Sequence, residues 1–281
     1  VMDDGRGGRK HLVRVGVIWL VATVVVEAGL LLWRGPHMPP FRASAQAMEQ
    51  ANTNILLAGL AIPVLILVWV FVGYSIAVFR RQGEGDGPPI RGHYRTQVAW
   101  VVSSAAIVLF LAGYGSYVLM ISAYGVGGGQ GPDPAAVPAG QPMEVQVIAQ
   151  QWGFTYRYPT YGGVETQQLV LPAGQLVELH VTSIDVIHSF WAYEIGVKAD
   201  ANPGQDNITF VKSIDVAPFQ IRCAELCGVW HGYMNGTGQV VSRSTFESWI
   251  ATQQSANAAA TAQLPPYAHV YLPVPAVVRG G

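Results

Sequence analysis

The segment CAELCGVWHGYM, from Cys223 to Met234, contains both cysteines of the chain together with a histidine and a methionine. Thiolate, imidazole and thioether groups are the soft and borderline ligands that favour copper in electron-transfer sites. A further histidine, His188, lies at one end of a predicted strand and could reach the same site from across the fold. The sequence therefore indicates a metal-binding loop, which the rest of the chain supports and positions.

Three interpretations of this loop are compatible with its residues. A disulfide between Cys223 and Cys227 would leave His231 and Met234 without a role. A structural zinc ion takes four nitrogen or sulfur ligands, which the two cysteines, His231 and His188 would supply, but Met234 would again be unused. A single blue copper needs only one thiolate. Two thiolates that bridge two copper ions would use all of these side chains.

The pattern Cys-x-Glu-x-Cys-Gly-x-x-His-x-x-Met, with His-Ser-Phe upstream at 188–190, resembles the dinuclear copper (CuA) site of cytochrome c oxidase subunit II. The resemblance extends over about residues 53–250. It implies the electron-accepting subunit of a haem-copper terminal oxidase. Such a subunit takes electrons from cytochrome c or a similar small carrier and passes them to haem in subunit I, where oxygen is reduced to water.

The resemblance also assigns the copper ligands. It implies that Cys223 and Cys227 bridge the two copper ions and that His188 and His231 each bind one of them. Met234 is implied as the weak ligand of one copper, and the backbone carbonyl of the glutamate between the cysteines as that of the other.

Two residues receive further roles from the resemblance. The carboxylate of that glutamate, Glu225, is expected to bind a magnesium ion at the contact with subunit I. Trp152 matches the family's Gln-Trp position, where the indole lies above the copper centre and is the point at which electrons arrive. Subunit III is a further expected partner.

Composition indicates a membrane segment joined to a folded domain. Of 281 residues, 51% are apolar and only 12% are charged, and the formal net charge is −1. A chain so close to neutral gives no electrostatic reason to expect a nucleic-acid partner. Two cysteines in one short motif do not indicate a disulfide framework.

Apolar runs at about 12–33, 55–79 and 98–121 predict three transmembrane helices in contact with membrane lipid, each long enough for a bilayer about 30 Å thick. The first run lacks a small-residue cleavage site, so we expect a retained helix and not a signal peptide. The resembled family usually has two such helices, which makes the first an addition. Basic residues before the first run and after the second predict a multi-pass protein of a prokaryotic inner (plasma) membrane, with a cytoplasmic N-terminus and the CuA domain on the periplasmic or extracellular side.

The sequence divides into four predicted regions. Residues 1–122 form the transmembrane anchor and 123–142 a Gly/Pro-rich linker. Residues 143–254 form a cupredoxin-like Greek-key β-barrel, and 255–281 an extended tail. The predicted fold class is thus a membrane-anchored all-β protein.

Alternation of apolar and polar residues from Met143 onward predicts the strands of this domain. His180 alternates in phase with Glu178 and Thr182, so we expect it to face solvent and do not count it as a ligand. Phe154 and Tyr156 are expected in the core. Strands are predicted at 143–149, 153–158, 166–171, 175–182, 189–197, 207–214 and 217–223, and a short closing helix at 244–254.

One position departs from the resembled family. Many relatives have a glutamate at the start of the last membrane helix, at the mouth of a proton path into subunit I. Here Gln97 takes that place, three residues before Trp100, and an amide cannot exchange a proton as a carboxyl can. Either Glu84 or Asp86 serves proton translocation instead, or the path is arranged differently.

The balance of charges in the predicted β domain does not identify the electron donor. From residue 143 to 250 there are ten acidic and five basic residues, scattered along the sequence. A carboxylate patch that steers a basic cytochrome and a less basic donor are both compatible with this count.

The alternative functions are a CuA-bearing small subunit of a nitric oxide reductase, which Gln97 leaves open, and a membrane-tethered copper-binding protein.

Overall fold

The computed structural model describes residues 6–34, 43–80, 93–121, 142–212 and 215–263. Glu84 and Asp86 lie outside the described residues, as do the predicted linker up to 141 and the predicted tail from 264 onward. The chain divides into two compact units, one from 1–38 and 53–121 and the other from 39–52 and 122–281.

Three helices make up most of the first unit. Helix α1 spans Arg6–Gly29 and continues as a π-helical segment, Leu30–Arg34, while α2 spans Ala45–Val78 and α3 spans Tyr94–Ile121. Each is long and apolar enough to cross a membrane, which confirms the predicted number of three for the described part of the chain. Each begins earlier than its apolar run, because polar first turns extend a helix without adding hydropathy.

Two polar contacts join α1 to α2 within this unit. The His11 Nδ1 atom lies 2.7 Å from the Tyr74 hydroxyl, and the Trp19 indole donates to the carbonyl of Pro63 at 2.8 Å. These two contacts tie the first helix to the second.

Gln97 lies in the first turn of α3, where its backbone N–H donates to the carbonyl of His93.

The second unit contains two five-stranded sheets that enclose one core. The strand orders are β3-β2-β1-β5-β8 and β4-β10-β9-β6-β7. This sandwich confirms the predicted cupredoxin-like all-β domain, with two separate sheets where a barrel was predicted. The strands are β1 (Met143–Gln150), β2 (Gly153–Tyr158), β3 (Val164–Thr166), β4 (Leu169–Pro172), β5 (Leu176–Ser183), β6 (His188–Ala192), β7 (Val197–Ala201), β8 (Asn207–Lys212), β9 (Pro218–Cys223) and β10 (Asn235–Val241).

The core forms where the alternating apolar residues of both sheets meet. Phe154 and Tyr156, predicted as core residues, are buried and lie edge-on to Phe190 of the other sheet, with ring centroids 5.5 and 6.3 Å apart. Burying one such side chain contributes about 1.5–3 kcal/mol. Other fully buried residues of the two sheets include Val145, Val147, Leu179, Val181 and Ile221.

The predicted strands at 166–171 and 189–197 are each two shorter strands. The first is interrupted between β3 and β4, and the second by a 3-10 turn, Tyr193–Ile195, between β6 and β7. That turn ends at Gly196 in a left-handed conformation, with φ +70°. The alternation continues through Tyr193–Ile195, so it did not reveal that turn. Between β3 and β4 the chain passes from one sheet to the other at the polar residues 166–168.

Strand β10 was missing from the prediction. Its sequence, NGTGQVV, contains glycines that lower strand propensity. Gly238 lies opposite Phe219 of β9, and a Cβ atom at Gly238 would be 2.1 Å from the Phe219 ring. The ring covers the glycine, so packing between strands outweighs the local preference.

Helix α4, Arg243–Thr261, closes the domain and runs beyond the predicted end at 254. Ser242 caps it by accepting a hydrogen bond from the backbone N–H of Thr245, and Phe246 and Ile250 are buried. Residues 255–261 were predicted as extended tail, which is wrong, because their alanine-rich sequence has high helix propensity.

His180 is buried, contrary to the prediction that it faces solvent. Only 3% of it is exposed. Its Nδ1 lies 2.8 Å from Asp206 Oδ2 and its Nε2 lies 3.3 Å from Glu178 Oε1. The alternation placed His180 correctly on the face of β5 opposite the apolar core, but Asp206, from the segment before β8, covers the ring there.

The first turns of α2, which precede the predicted apolar run at 55–79, belong to the β-sandwich unit. Ser44 Oγ donates to the carbonyl of Ile195 at 2.6 Å, and Gln46 Nε2 donates to that of Phe210 at 2.8 Å. Gln50 Nε2 donates to the carbonyl of Gly196 at 2.7 Å. One hydroxyl and two side-chain amides of α2 and its start thus bind carbonyl groups of the turn before β7 and of β8, while the small Ala47 allows close approach and is fully buried.

We expect Gly196→Ala to destabilise the β-sandwich unit. Its added Cβ would lie 2.7 Å from the backbone nitrogen of Ala47, and φ is +70°, so steric overlap adds to the left-handed strain of about 1–2 kcal/mol. Thermal unfolding of the purified chain should show a lower midpoint, and amide exchange at 45–51 should be faster. Gly174→Ala is the matched control, since φ is +76° there but nothing lies within 4 Å. Equal destabilisation by both variants would show that the contact with Ala47 contributes nothing.

The triad around His180 should make stability depend on pH. Burial disfavours the imidazolium, but hydrogen bonds and charges from Asp206 and Glu178 outweigh it and raise the pKa of His180 to about 9, from 6.5. A raised pKa stabilises the fold fully below pH 6.5, and this contribution is lost as the pH rises through 9.

Raising the pH from 6.5 to 9.5 should therefore lower the thermal unfolding midpoint of the wild type more than that of His180→Gln. The expected difference in the free energy of unfolding is on the order of 1 kcal/mol. Identical pH profiles of the two proteins would contradict the charged triad.

Candidate metal centre

The loop from Cys223 to Met234 connects β9 to β10 and is closed by backbone hydrogen bonds. The Cys223 N–H donates to the carbonyl of Met234 at 3.0 Å, so the two ends of the loop lie side by side. The Ala224 N–H donates to the carbonyl of Ser189 at 2.9 Å. Since β6 begins at His188 and pairs with β9, the distant histidine is held beside the loop.

The structure brings the predicted copper ligands together. The two Sγ atoms of Cys223 and Cys227 lie 3.7 Å apart. His188 Nδ1 lies 3.9 Å from the first of them, and His231 Nδ1 lies 3.5 Å from the second. Met234 Sδ is 3.7 Å from Cys227 Sγ. Each sulfur thus has an imidazole beside it, and the two sulfurs lie between the two rings.

These groups are withdrawn from water to different degrees. His188 and Met234 are fully buried, and Cys223 and Cys227 are buried as well. His231 is half-buried, in a 3-10 turn formed with Tyr233. The site is therefore enclosed on the side of the sandwich and opens at the tip of the loop.

The donor set fits copper better than the alternatives. Both cysteines are free, so the disulfide interpretation is not supported. A tetrahedral zinc ion would use four donors and leave the buried Met234 sulfur idle. The carbonyl oxygen of Glu225 is also directed at the site, 3.2 Å from Cys223 Sγ. Two thiols, two imidazoles, one thioether and one carbonyl match two softly ligated metal ions.

Without a cation, one of these thiols resists ionisation. Desolvation and the adjacent Cys223 thiol raise the pKa of Cys227 to about 11. A metal ion that binds thiolate must therefore displace the proton, which couples metal binding to proton release.

Asp185 is a residue of the site that sequence reasoning missed. Its Oδ1 lies 2.9 Å from His188 Nε2. A carboxylate only accepts hydrogen bonds, so this contact places the ring proton on Nε2 and leaves the Nδ1 lone pair facing Cys223. The Asp-x-x-His spacing at 185–188 could have indicated it, but the acid was read only as one charge among ten.

Asp185 is itself held in place. Desolvation opposes its ionisation, but hydrogen bonds from the Gln151 N–H, the His188 ring, the Val186 N–H and the Ser183 hydroxyl outweigh this and lower its pKa to about 2. The carboxylate is therefore ionised throughout the neutral range and keeps His188 in one orientation.

Trp152 lies directly against the loop. Its indole donates to the carbonyl of Cys227 at 3.2 Å, and the Gln151 amide donates to the same oxygen at 2.8 Å. A Cβ atom at Gly228 would be 3.4 Å from Trp152 Cζ2, which shows how closely the ring approaches. The indole remains 37% exposed, so it touches both the loop and the solvent.

Glu225 is exposed at the tip of the loop, and its carboxylate makes no ion pair with any described residue. Over the described residues, the metal-binding group of three or more histidine, cysteine or acidic side chains consists of His188, Cys223 and Cys227.

The family profile described as cytochrome c oxidase subunit II, periplasmic domain, matches residues 164–242. This range runs from β3 through β10 and contains every predicted metal ligand, whereas Trp152 precedes it.

Whole-chain relatives extend the match into the membrane helices. Cytochrome c oxidase subunit 2 of Thermostichus vulcanus is 30% identical, covering 85% of this chain and 86% of the relative, and that of Synechocystis is 26% identical, covering 85% and 83%. The crystal structure of the periplasmic domain of subunit II of cytochrome oxidase from Bradyrhizobium japonicum is 31% identical, covers 43% of this chain and 98% of that domain, and gives a TM-score of 0.41. Similarity over most of both chains, together with the cysteine, histidine and methionine cluster, shows that this protein belongs to the cytochrome c oxidase subunit II family.

Proposed function

We propose that this chain accepts electrons for a haem-copper terminal oxidase at a dinuclear CuA centre and passes them to haem in subunit I. One observation carries the proposal. Two thiols, two imidazoles and a thioether converge at one end of the sandwich, with successive donor atoms 3.5–3.9 Å apart. Oxygen reduction to water, and most proton translocation, belong to subunit I in this account.

The residues divide the work of holding copper. Cys223 and Cys227 would supply the bridging sulfurs, His188 and His231 would supply one nitrogen each, and Met234 and the Glu225 carbonyl would be the weak ligands. A bound CuA centre would supply one-electron redox chemistry with the charge shared by two metal ions. The protein keeps these donors in nearly fixed positions, because the loop is closed by backbone hydrogen bonds and most of the donors are buried.

Trp152 is the proposed point at which electrons arrive. Its exposed edge is accessible to a carrier, and its indole N–H donates to the backbone carbonyl of Cys227, a proposed copper ligand. An electron that enters at the indole therefore has only this hydrogen bond and one residue between it and the metal centre. The proposed carrier is cytochrome c or another small electron-transfer protein.

Contacts with the rest of the oxidase are part of the same proposal. Glu225, exposed and without an ion pair among the described residues, would bind magnesium jointly with residues of subunit I. Subunit III is a further proposed neighbour. We also propose that the three apolar helices lie in a prokaryotic inner membrane with the N-terminus in the cytoplasm and the copper domain outside.

The rival functions have less support. The whole-chain relatives in Thermostichus and Synechocystis are named as oxidase subunits, which favours oxygen over nitric oxide as the final substrate. A simple copper-binding protein would not need an indole hydrogen-bonded to the backbone of a ligand residue.

Replacing either bridging sulfur tests the function directly. We expect the copper-loaded wild type to show two copper ions sharing one unpaired electron by electron paramagnetic resonance. Cys223→Ser and Cys227→Ser should each abolish that signal, because one oxygen cannot replace a bridging thiolate. A shared-electron signal that survives in either variant would contradict the bridge.

Histidine replacements provide a matched pair for this test. His231→Gln should change or abolish the signal, whereas His180→Gln, a buried histidine of the opposite sheet, should retain it. Equal loss in both would point to misfolding and not to ligand removal.

Asp185→Asn should weaken metal binding without removing a ligand. The amide cannot hold His188 with a negative charge, so we expect copper affinity, measured by competition with a chelator, to fall by about 10- to 100-fold. Asp215→Asn is the control, since Asp215 is exposed beside β9 at the end away from Cys223. Unchanged affinity in Asp185→Asn would show that the hydrogen bond does not orient the histidine.

A further inference from the structure

Four exposed aliphatic side chains lie in two segments beside Trp152. The segment between β5 and β6 exposes Ile184 (67%), Val186 (40%) and Ile187 (50%). The loop from Cys223 to Met234, the copper loop, exposes Val229 (85%). Exposed aliphatic side chains grouped around a functional residue mark a contact surface more often than scattered ones do.

Backbone contacts place both segments beside Trp152. The Ile184 N–H donates to the carbonyl of Ala149 at 3.1 Å, at the end of β1 just before Trp152. Gly228, which precedes Val229, lies against the indole ring itself. These exposed aliphatic residues, Ile184, Val186, Ile187 and Val229, together with Trp152, are called the rim below.

The carboxylate within the rim is not available to a partner's lysines. Asp185 accepts hydrogen bonds from His188 Nε2, the Gln151 N–H, the Val186 N–H and the Ser183 hydroxyl. A carboxylate has about four acceptor sites, so these four hydrogen bonds leave little hydrogen-bonding capacity for a partner's lysine, while the negative charge itself remains.

Most other acids of the domain are also occupied. Glu165 pairs with Arg157, Glu247 pairs with Arg243, and Glu178 and Asp206 share His180. Glu194 accepts from the Gln220 N–H.

Acids without such a partner among the described residues are dispersed. Glu144 lies near the start of β1, and Asp215 lies just before β9, so both are at the ends of strands opposite the copper loop. Asp200 lies on β7 opposite Ser189, and Glu225 is at the loop tip. These four acids thus lie in four different parts of the domain and do not form a cluster beside Trp152.

We propose that the rim docks a small electron-carrier protein whose redox-site edge is uncharged and apolar, in place of a carrier that presents a ring of lysines. This proposal rests on the proposed function, because it concerns the donor to the same site. Apolar side chains on the carrier would cover Ile184 and Val229 and bring its redox group to the Trp152 edge.

Such docking has a kinetic signature. The rate constant of charge-steered association is high at low salt and falls steeply as the salt concentration rises. The rate constant of apolar docking is lower and nearly independent of salt. For the native donor class, we expect the second-order rate constant to change by less than about twofold between 10 and 200 mM salt.

The experiment uses the whole detergent-purified oxidase and two probes on one scaffold. One is mitochondrial cytochrome c with its lysine ring, and the other is a variant with those lysines replaced by glutamine. Stopped-flow reduction at low salt should be at least as fast with the neutral variant. A lysine-bearing probe that is about tenfold faster, and slows with salt, would overturn the proposal.

Charge insertion in the chain gives the reverse test. Ile184→Asp and Val229→Asp should each accelerate the lysine-bearing probe at low salt and make its rate salt-dependent. Val216→Asp, on an equally exposed valine (63%) near the other end of β9, should not. Equal effects at all three positions would overturn the proposal, as would loss of subunit I from the Ile184→Asp complex, since the rim would then be a contact between subunits.

A small uncharged redox mediator separates this proposal from the proposed function. If the mediator reduces the copper centre, as followed by its optical absorption band, but neither cytochrome does, only the docking proposal is overturned. Failure of the mediator as well would overturn electron acceptance by the chain.

Discussion

The pairing of β6 with β9 is the constraint on which the rest of the site depends. It places His188, the first residue of one strand, beside Cys223, the last residue of the other, and the Ala224 to Ser189 hydrogen bond continues the pairing into the loop. Once these strands are fixed, the loop needs only its closing bond from Cys223 to Met234 to bring the remaining donors together. The metal site is thus a consequence of sheet register, and a slip of one residue would turn the ligands to the opposite face.

A second layer of contacts sets the orientation of each donor. Asp185 fixes the His188 ring, and its own position depends on the Gln151 backbone. The Gln151 and Trp152 side chains meet the carbonyl of Cys227. The β1–β2 turn therefore supports the copper loop from one side and presents Trp152 to solvent.

The sequence predicted the membrane helices, the all-β domain and the ligand loop, because apolar runs, alternation and the spacing of cysteine, histidine and methionine are local signals. It did not predict the features that depend on other parts of the chain. Strand β10 was missed because Phe219 compensates for Gly238, and His180 was misplaced because Asp206 covers it. The role of Asp185 and the attachment of Ser44 and Gln46 to the sandwich were missed for the same reason, since each partner lies far away or beyond a turn.

The central claim is that two sulfurs of one loop join two copper ions. X-ray absorption at the copper edge of the oxidised, copper-loaded chain tests it most directly, because it reports the neighbours of the metal without relying on activity. The account predicts sulfur scatterers around copper together with a second copper at short range. A spectrum with one sulfur per copper and no neighbouring copper, or one dominated by nitrogen and oxygen, would contradict it.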